Sequence, residues 1–576
     1  MHESSPAPAA SILTSAESDC IQPKIWPITH RYVYLQPINY KMALVESSPL
    51  EIRRRRRRGL VSSGESSAAA LADNSSPRDF MLLFIQFQVG AFFKDMPMSP
   101  TNSPHVYENP LVSRNASAEM LEVFSPQRKF STWRRIWLAL AEAEKELGLP
   151  ITEEQLQQMR AHLDDIDYHE AARQEQRLRH DLMAHLQTFA KAAPLAKPIL
   201  HLGATSMDVV DNTDVLLLRD GLQIIRLKLA NLIDSLARFA QQWKDLPSLS
   251  YTHLQPAQPS TMGKRAVLWC YDFVLALADI ELRMETLMLR GIKGTTGTQA
   301  SFLELFDGDH EKVKRLEKLV AERLGFQRVH PVTGQTYPRV MDAQILASLA
   351  VVAAAAQKMA QDIRILAAFK ELDEPMEDEQ VGSSAMAYKR NPVLSERVTG
   401  LARWLMGMAL QPMLTAGQQM FERSLDDSSN KRLSVPEAFL SADAILDILI
   451  YVVRGMVVHV RVINQRLMAE LPFMATENIL MAATKAGGDR QDLHEKIRKH
   501  SLSAARHVKD MGLENDLLLR LRQDPAFAGV ELDKIMEPRH YIGRSVEQVD
   551  EFIAHTVQPI RDRYVGRLEH QVALKV

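Results

Sequence analysis

The chain has 576 residues, 46% of them hydrophobic and 24% charged, with a formal net charge of −2. That is ample for a large core, and a charge this close to zero supplies no global field for nucleic acid or a membrane surface. Two cysteines, Cys20 and Cys270, cannot build a disulfide framework, which fits a reducing compartment, and no unbroken apolar run reaches the roughly 20 residues that span a bilayer.

Residues 1–105 are rich in Ser, Pro and Ala, carry the run RRRRRR at 53–58 and show no sustained hydrophobic period. They are expected to form a disordered N-terminal extension. The arginine run also matches a nuclear-import or polyanion-binding patch, whereas Glu17, Asp19, Glu46, Glu51 and Glu65 weigh against a transit peptide.

From about residue 130 the texture changes. FSTWRRIWLALAEAEKELGLP sets apolar residues at helical spacing and stops at Gly148 and Pro150. Long helical stretches follow at Thr213–Leu246, Arg265–Arg290, Arg339–Glu374 and Glu437–Leu471, each with at most one glycine. The third, at 1.5 Å per residue, would be about 54 Å long. Its centre, LASLAVVAAAA, is apolar on most faces, as in a helix surrounded by other helices.

Strand-like alternation is nearly absent, so the fold class is all-α, built on a central bundle of very long helices. Helices this long and this apolar are hard to cover within one chain, which predicts oligomerisation through the bundle. Shorter helical patterns, DLHEKIRKHSLSAARHV and SVEQVDEFIAHTV, point to a small helical domain near the C-terminus. The expected layout is an extension at 1–105, an N-terminal helical domain at 106–205, the bundle at 206–460 and a C-terminal helical domain at 461–576.

Polar segments interrupt this pattern: RLRHDLMAH (177–185), HLGATSMDVVDNTD (201–214), YTHLQPAQPSTMGKR (251–265) and GSSAMAYKRNP (382–392). The pairs His180/His185 and His494/His500 lack the spacing that puts two imidazoles on one helical face, so no metal is expected. GIKGTTGTQAS (291–301) has the wrong glycine spacing for a dinucleotide fingerprint and reads as a flexible loop; no GxSxG elbow is present. Serine, histidine and many cations remain. The prolines after His253 deny that piece a helix, so His253 is expected on a rigid turn, as a functional group or an ordinary loop histidine. His180, between Arg179 and Asp181, reads as a tuned acid–base group or as part of a surface ion pair. Ser383 and Ser384 read as loop polars or as chemistry.

Together with FERSLDDSSNKR and LPFMATENI, these segments resemble the fumarase/aspartase superfamily, whose signature loop is close to GSSxMPxKxNP, and within it the adenylosuccinate lyase family. The motifs fall in the expected order from about Ser113 to near the C-terminus. The resemblance implies a three-domain all-α lyase fold, assembled as a cytoplasmic homotetramer with active sites shared between subunits. It implies small-molecule nucleotide substrates: fumarate is eliminated from adenylosuccinate to give AMP, and from succinyl-aminoimidazole-carboxamide ribotide, in purine nucleotide biosynthesis. It implies no cofactor.

Carried over residue by residue, the resemblance makes Ser383 the base and His253 the acid, with His180 assisting and Lys389 holding the carbanionic intermediate. It assigns substrate binding to Arg114, Asn115, Arg179, His180, Asp181, Thr205, Ser206, Gln335, Arg397, Arg423, Ser428 and Arg432. Those residue types suit the task. A phosphate of about −1.5 to −2 charge and two carboxylates need clustered cations, and arginine's planar fork meets both groups. Two positions depart from the family: Ala387 replaces a proline in the signature loop, and Asn115 replaces a tyrosine. A sister lyase of the argininosuccinate type and a non-catalytic scaffold that keeps the fold remain as alternatives. A substrate panel separates the first, and nucleotide binding without fumarate release marks the second.

Overall fold

The computed structural model describes residues 105–575, so the expected N-terminal extension lies, but for residue 105, outside the described residues. Long helices dominate: α1 (Pro126–Glu146), α2 (Ser206–Gln242), α3 (Met262–Thr286), α4 (Val340–Ala368), α5 (Val393–Met408) and α6 (Asp426–Gly455). Local chemistry sets their ends. The Ser125 side chain accepts the Arg128 N–H with Pro126 at the first helical position, and α1 stops just before Gly148 at φ +99°.

The helices α2, α3, α4 and α6 pack on one another, with α5 against α4 and α6. Their apolar residues fill one continuous core that includes Leu229, Leu232, Ile233, Phe273, Leu349, Val352, Ile445 and Leu449. Gly221, in the middle of α2, makes room for α6: a Cβ there would lie 2.8 Å from the Phe439 ring. Judged by length and mean composition, α4 is apolar enough to cross a bilayer, although it holds no unbroken apolar run of that length. Packing against α3, α5 and α6 covers much of it, while Val340 (57%) and Val351 (47%) stay exposed. A second, smaller core gathers Leu471, Ile479, Leu493, Ile497, Leu521 and Phe527.

Two short sheets depart from the all-helical expectation without changing the class. Strands β1 (Pro247–Thr252) and β2 (Gln255–Thr261) form an antiparallel hairpin between α2 and α3. Pro256 and Pro259 hid it, yet prolines are tolerated on a strand whose outer edge is unpaired. The stretch Glu437–Leu471 is not one helix. It breaks after Gly455, where β4 (Val457–Val458) pairs with β3 (Leu372–Asp373), and a separate helix follows at Val460–Met474.

Candidate active site

A cleft of about 570 Å³ gathers His180, Asp181, Thr205, Ser206, Gln335, Arg423, Ser428 and Arg432 on its walls. Local folding explains each placement. Arg179, at φ +54°, ends the helix Tyr168–Leu178 in the left-handed region, and the sharp turn makes His180 the N-cap of the next helix, Asp181–Ala192. The Nδ1 of His180 faces the Met183 N–H at 3.5 Å, and its Nε2 stands 3.5 Å from the Ser206 hydroxyl. Asp181 accepts from the Leu182 N–H at 2.7 Å and from Arg432 at 2.6 Å. Burial pulls the Asp181 pKa up, but that N–H and the Arg432 guanidinium outweigh it, so the carboxyl titrates below its usual range.

Thr205 and Ser206 sit at the start of α2. There the buried Asp208 carboxylate accepts from the N–H groups of Thr205 and Lys293, both at 2.8 Å, and of Gly294, and is paired with Arg290. The loop 291–301 is therefore pinned rather than free. Gly297 tolerates no side chain, since a Cβ would come within 1.9 Å of the Thr333 carbonyl oxygen. That close packing seats Gln335, which donates to the Thr295 carbonyl (2.9 Å) and accepts from Arg423 (2.9 Å).

Beneath these groups lies an ionic network that the sequence reading missed. Arg339 pairs with Asp211 (3.0 Å) and Asp427 (2.6 Å). Lys431 pairs with Asp214 (2.6 Å) and donates to the Tyr337 hydroxyl (3.1 Å), which donates in turn to Asp342 (2.6 Å). Burial and Arg339 depress the Lys431 pKa, but Asp214, Asp211 and Asp342 outweigh them and hold it above the usual lysine value. Lys129, on the first turn of α1, also lines the cleft; its pKa is lowered by burial, with Asp214 opposing. Lys431 and Asp427 fall inside FERSLDDSSNKR, a signal that could have found them. Nothing in the sequence sets Lys129 apart from a surface lysine.

The remaining candidates stand outside this cleft. His253 is exposed at the tip of the β1–β2 hairpin, where it and Leu254 adopt φ +53° and +56°. Two bulky residues in the left-handed region store strain of the kind found at functional sites. The hairpin is braced by Arg466, which donates to the Tyr251 hydroxyl (3.1 Å) and to Glu371 (2.8 Å) just after α4.

Ser383 Oγ accepts from the backbone N–H groups of Ala385 (3.3 Å) and Met386 (3.1 Å). Its loop is closed by Asn391, whose amide donates to the Gly382 carbonyl (2.9 Å), and by Gly382 itself, where a Cβ would lie 2.3 Å from the Lys389 carbonyl oxygen. Glu374 caps α5 through the N–H groups of Leu394 (2.9 Å) and Ser395 (2.6 Å), so the loop departs and returns at fixed points. Lys389 is exposed on this loop. Arg397, on α5, has its pKa lowered by burial and then by the charge of Arg114, with Glu374 opposing. Asn115 turns back on its own segment and donates to the Pro110 carbonyl at 2.7 Å. Arg179 is exposed beside His180.

The chain is similar to known proteins over most of its described residues. The family described as "Lyase" matches residues 116–407, and that described as "Adenylosuccinate lyase C-terminus" matches 472–552. An adenylosuccinate lyase of Saccharomyces cerevisiae is 50% identical over 82% of this chain and 99% of its own length. One from Schizosaccharomyces pombe is 49% identical over 78% of this chain and 94% of its own. Among solved structures, a fumarate lyase from Mesorhizobium sp. BNC1 superposes with a TM-score of 0.66 at 25% identity, covering 78% of this chain and 100% of that one.

Proposed function

The chain belongs to the adenylosuccinate lyase family of the fumarase/aspartase superfamily, and on that premise we propose that it eliminates fumarate from adenylosuccinate to give AMP, and from succinyl-aminoimidazole-carboxamide ribotide, in purine nucleotide biosynthesis. The observation that carries this reading is a cleft lined by five cations, Lys129, Arg339, Arg423, Lys431 and Arg432, against three carboxylates, Asp181, Asp214 and Asp427, beside His180 and the hydroxyls of Thr205, Ser206 and Ser428, in a chain of net charge −2. Such a cleft suits a substrate that is itself a multiple anion.

Breaking the C–N bond requires a base for a carbon-bound proton, a sink for the resulting carbanion and an acid for the departing nitrogen. We assign the base to Ser383. A serine hydroxyl acts as a base only if its alkoxide is stabilised, and the N–H groups of Ala385 and Met386 already point at its oxygen. Lys389 then compensates the doubly charged aci-carboxylate, His253 protonates the leaving nitrogen, and His180 assists from the cleft wall. Arg114, Arg397, Arg423 and Arg432 hold the phosphate and carboxylates, with Thr205, Ser206, Gln335 and Ser428 supplying hydroxyls and an amide. Arg179, Asp181 and Asn115 border the same substrate.

His253 and the Ser383 loop do not line the cleft with His180, and we propose that neighbouring subunits of a cytoplasmic homotetramer bring them to it. Apolar stripes on the long helices support this. Leu268, Leu275 and Leu282 recur on one face of α3 and are 44% to 53% exposed, an apolar surface of the kind a second copy covers. Mixing inactive Ser383→Ala and His180→Gln proteins tests the sharing. Recovered activity supports shared sites, and none in a demonstrably mixed tetramer contradicts them. Fumarate release from adenylosuccinate, measured beside argininosuccinate, tests the substrate assignment.

A further inference from the structure

After the last described helix, Gln558–Arg563, residues 567–575 carry no helix or strand yet are bound at nearly every step. The Asn231 side chain, on α2, clasps this strap from both sides: it donates to the Arg567 carbonyl at 3.0 Å and accepts the His570 N–H at 3.1 Å. Arg454, on α6, donates to the His570 carbonyl at 2.6 Å, and the His570 ring meets Asp447 at 3.2 Å. Leu568, Val572 and Leu574 pack against the main core. At the far end the Lys575 ammonium donates to the carbonyl of Val112 at 3.0 Å.

Val112 belongs to the single turn Leu111–Asn115, the turn that carries Arg114. A second line of contacts reaches the same turn. Asp447, held by His570, also pairs with the buried Lys228, which pairs with Asp443. Asp443 accepts the Ser117 N–H at 2.7 Å and the Ser117 hydroxyl at 3.1 Å, fixing the residue that caps the next helix, Ala118–Val123. The turn is thus held on one side by Lys575 directly and on the other through Lys228, Asp443 and Ser117.

We propose that the strap 567–575 is a positioning element for substrate binding: it fixes the turn that presents Arg114 and so sets the affinity of that arginine for an anionic group of the substrate. The proposal rests on the reading of Arg114 as a substrate-binding residue. Arg114 is exposed on a five-residue turn, so the direction of its guanidinium depends on the backbone that the strap holds. Lys575, His570 and Asn231 are positioning residues in this scheme and touch no substrate.

The test is steady-state kinetics on adenylosuccinate for Lys575→Ala, His570→Gln and a chain lacking residues 567–576, each with and without Arg114→Ala, alongside thermal stability. In the otherwise native background each change should raise KM, by about three- to tenfold, and leave kcat within about twofold, whatever it does to Tm. In the Arg114→Ala background the same changes should add nothing further to KM. If the shortened chain fails to fold, the two point variants carry the test alone. An unchanged KM in both of them, or an equal rise with and without Arg114, overturns the proposal. If Arg114→Ala by itself leaves KM unaltered, the site reading fails instead and the proposal falls with it.

Discussion

The Arg432 guanidinium lies 2.6 Å from the Asp181 carboxylate, joining α6 to the helix that begins at His180 across 251 residues of sequence. The pair orders the cleft wall on which His180 stands. Arg432→Gln should raise KM for adenylosuccinate by about ten- to a hundredfold, the worth of a charge-assisted hydrogen bond to an anionic substrate. The Asp181 pKa is depressed in the folded protein, so the pair's contribution to stability is present above the ordinary carboxylate pKa and is lost as pH falls through the lower folded value. Arg432 is more than half exposed, which limits that contribution to under about 1 kcal/mol. Melting curves should show a small gap between wild type and Arg432→Gln at pH 7 that closes only at strongly acid pH.

His253 occupies a strained position on an exposed hairpin, and a structural role would show in folding rather than in rate. His253→Gln should lower kcat by about 10²- to 10⁴-fold with little change in Tm. It should also remove the basic limb of the pH–rate profile, because the limb reports the group that must carry a proton. Near-native turnover in this variant would remove His253 from the mechanism.

Glu144, on α1, is fully buried, neither carboxyl oxygen has a hydrogen-bond partner among the described residues, and burial pushes its pKa up to about 9. The folded protein keeps this proton while the unfolded chain gives it up near the ordinary glutamate value of about 4.3. Its influence on stability is therefore most favourable below about pH 4.3 and erodes as pH rises towards 9, by up to about 1.4 kcal/mol per pH unit. Glu144→Gln cannot ionise, so its gap to wild type should be smallest near pH 4 and it should melt progressively higher than wild type at pH 6, 7 and 8. Parallel melting temperatures across that range would show that Glu144 is not held neutral.

The signature loop lacks the proline that the resemblance leads one to expect at Ala387. Restoring it should rigidify an exposed loop, and Ala387→Pro should raise stability by about 0.4–1 kcal/mol if the backbone there already suits proline. Denaturant titration measures the gain, and a loss of stability would mean that this loop follows a different path from its relatives.

What the sequence disclosed, and what it hid, follows from the kinds of signal involved. Gly148 and Pro392 mark element ends by local chemistry, and the long glycine-poor stretches are mostly helical, so the bundle was legible although the break after Gly455 was not. His180, Thr205 and Ser206 stood out because they sit in short polar segments beside helices, whereas Gln335, Arg423, Ser428 and Arg432 were named through the family resemblance alone. The network of Arg339, Lys431, Asp211, Asp214 and Asp342 was not, because its members lie on separate helices and meet only when α2, α4 and α6 pack. The hairpin escaped for a different reason. Its prolines argue against any regular element, and only the pairing of Ser250 with Ala257 and of Tyr251 with Pro256 shows that they occupy a strand.

The central claim is that this chain cleaves adenylosuccinate with chemistry centred on Ser383. The most direct test is the absorbance change as adenylosuccinate is converted to AMP and fumarate, for purified wild type beside Ser383→Ala. Steady turnover in wild type, with a fall of at least about 10³-fold in a Ser383→Ala protein that still binds AMP, is the predicted result. Undiminished turnover in Ser383→Ala would contradict the assignment of the base, and a folded, nucleotide-binding wild type that releases no fumarate would contradict the function itself.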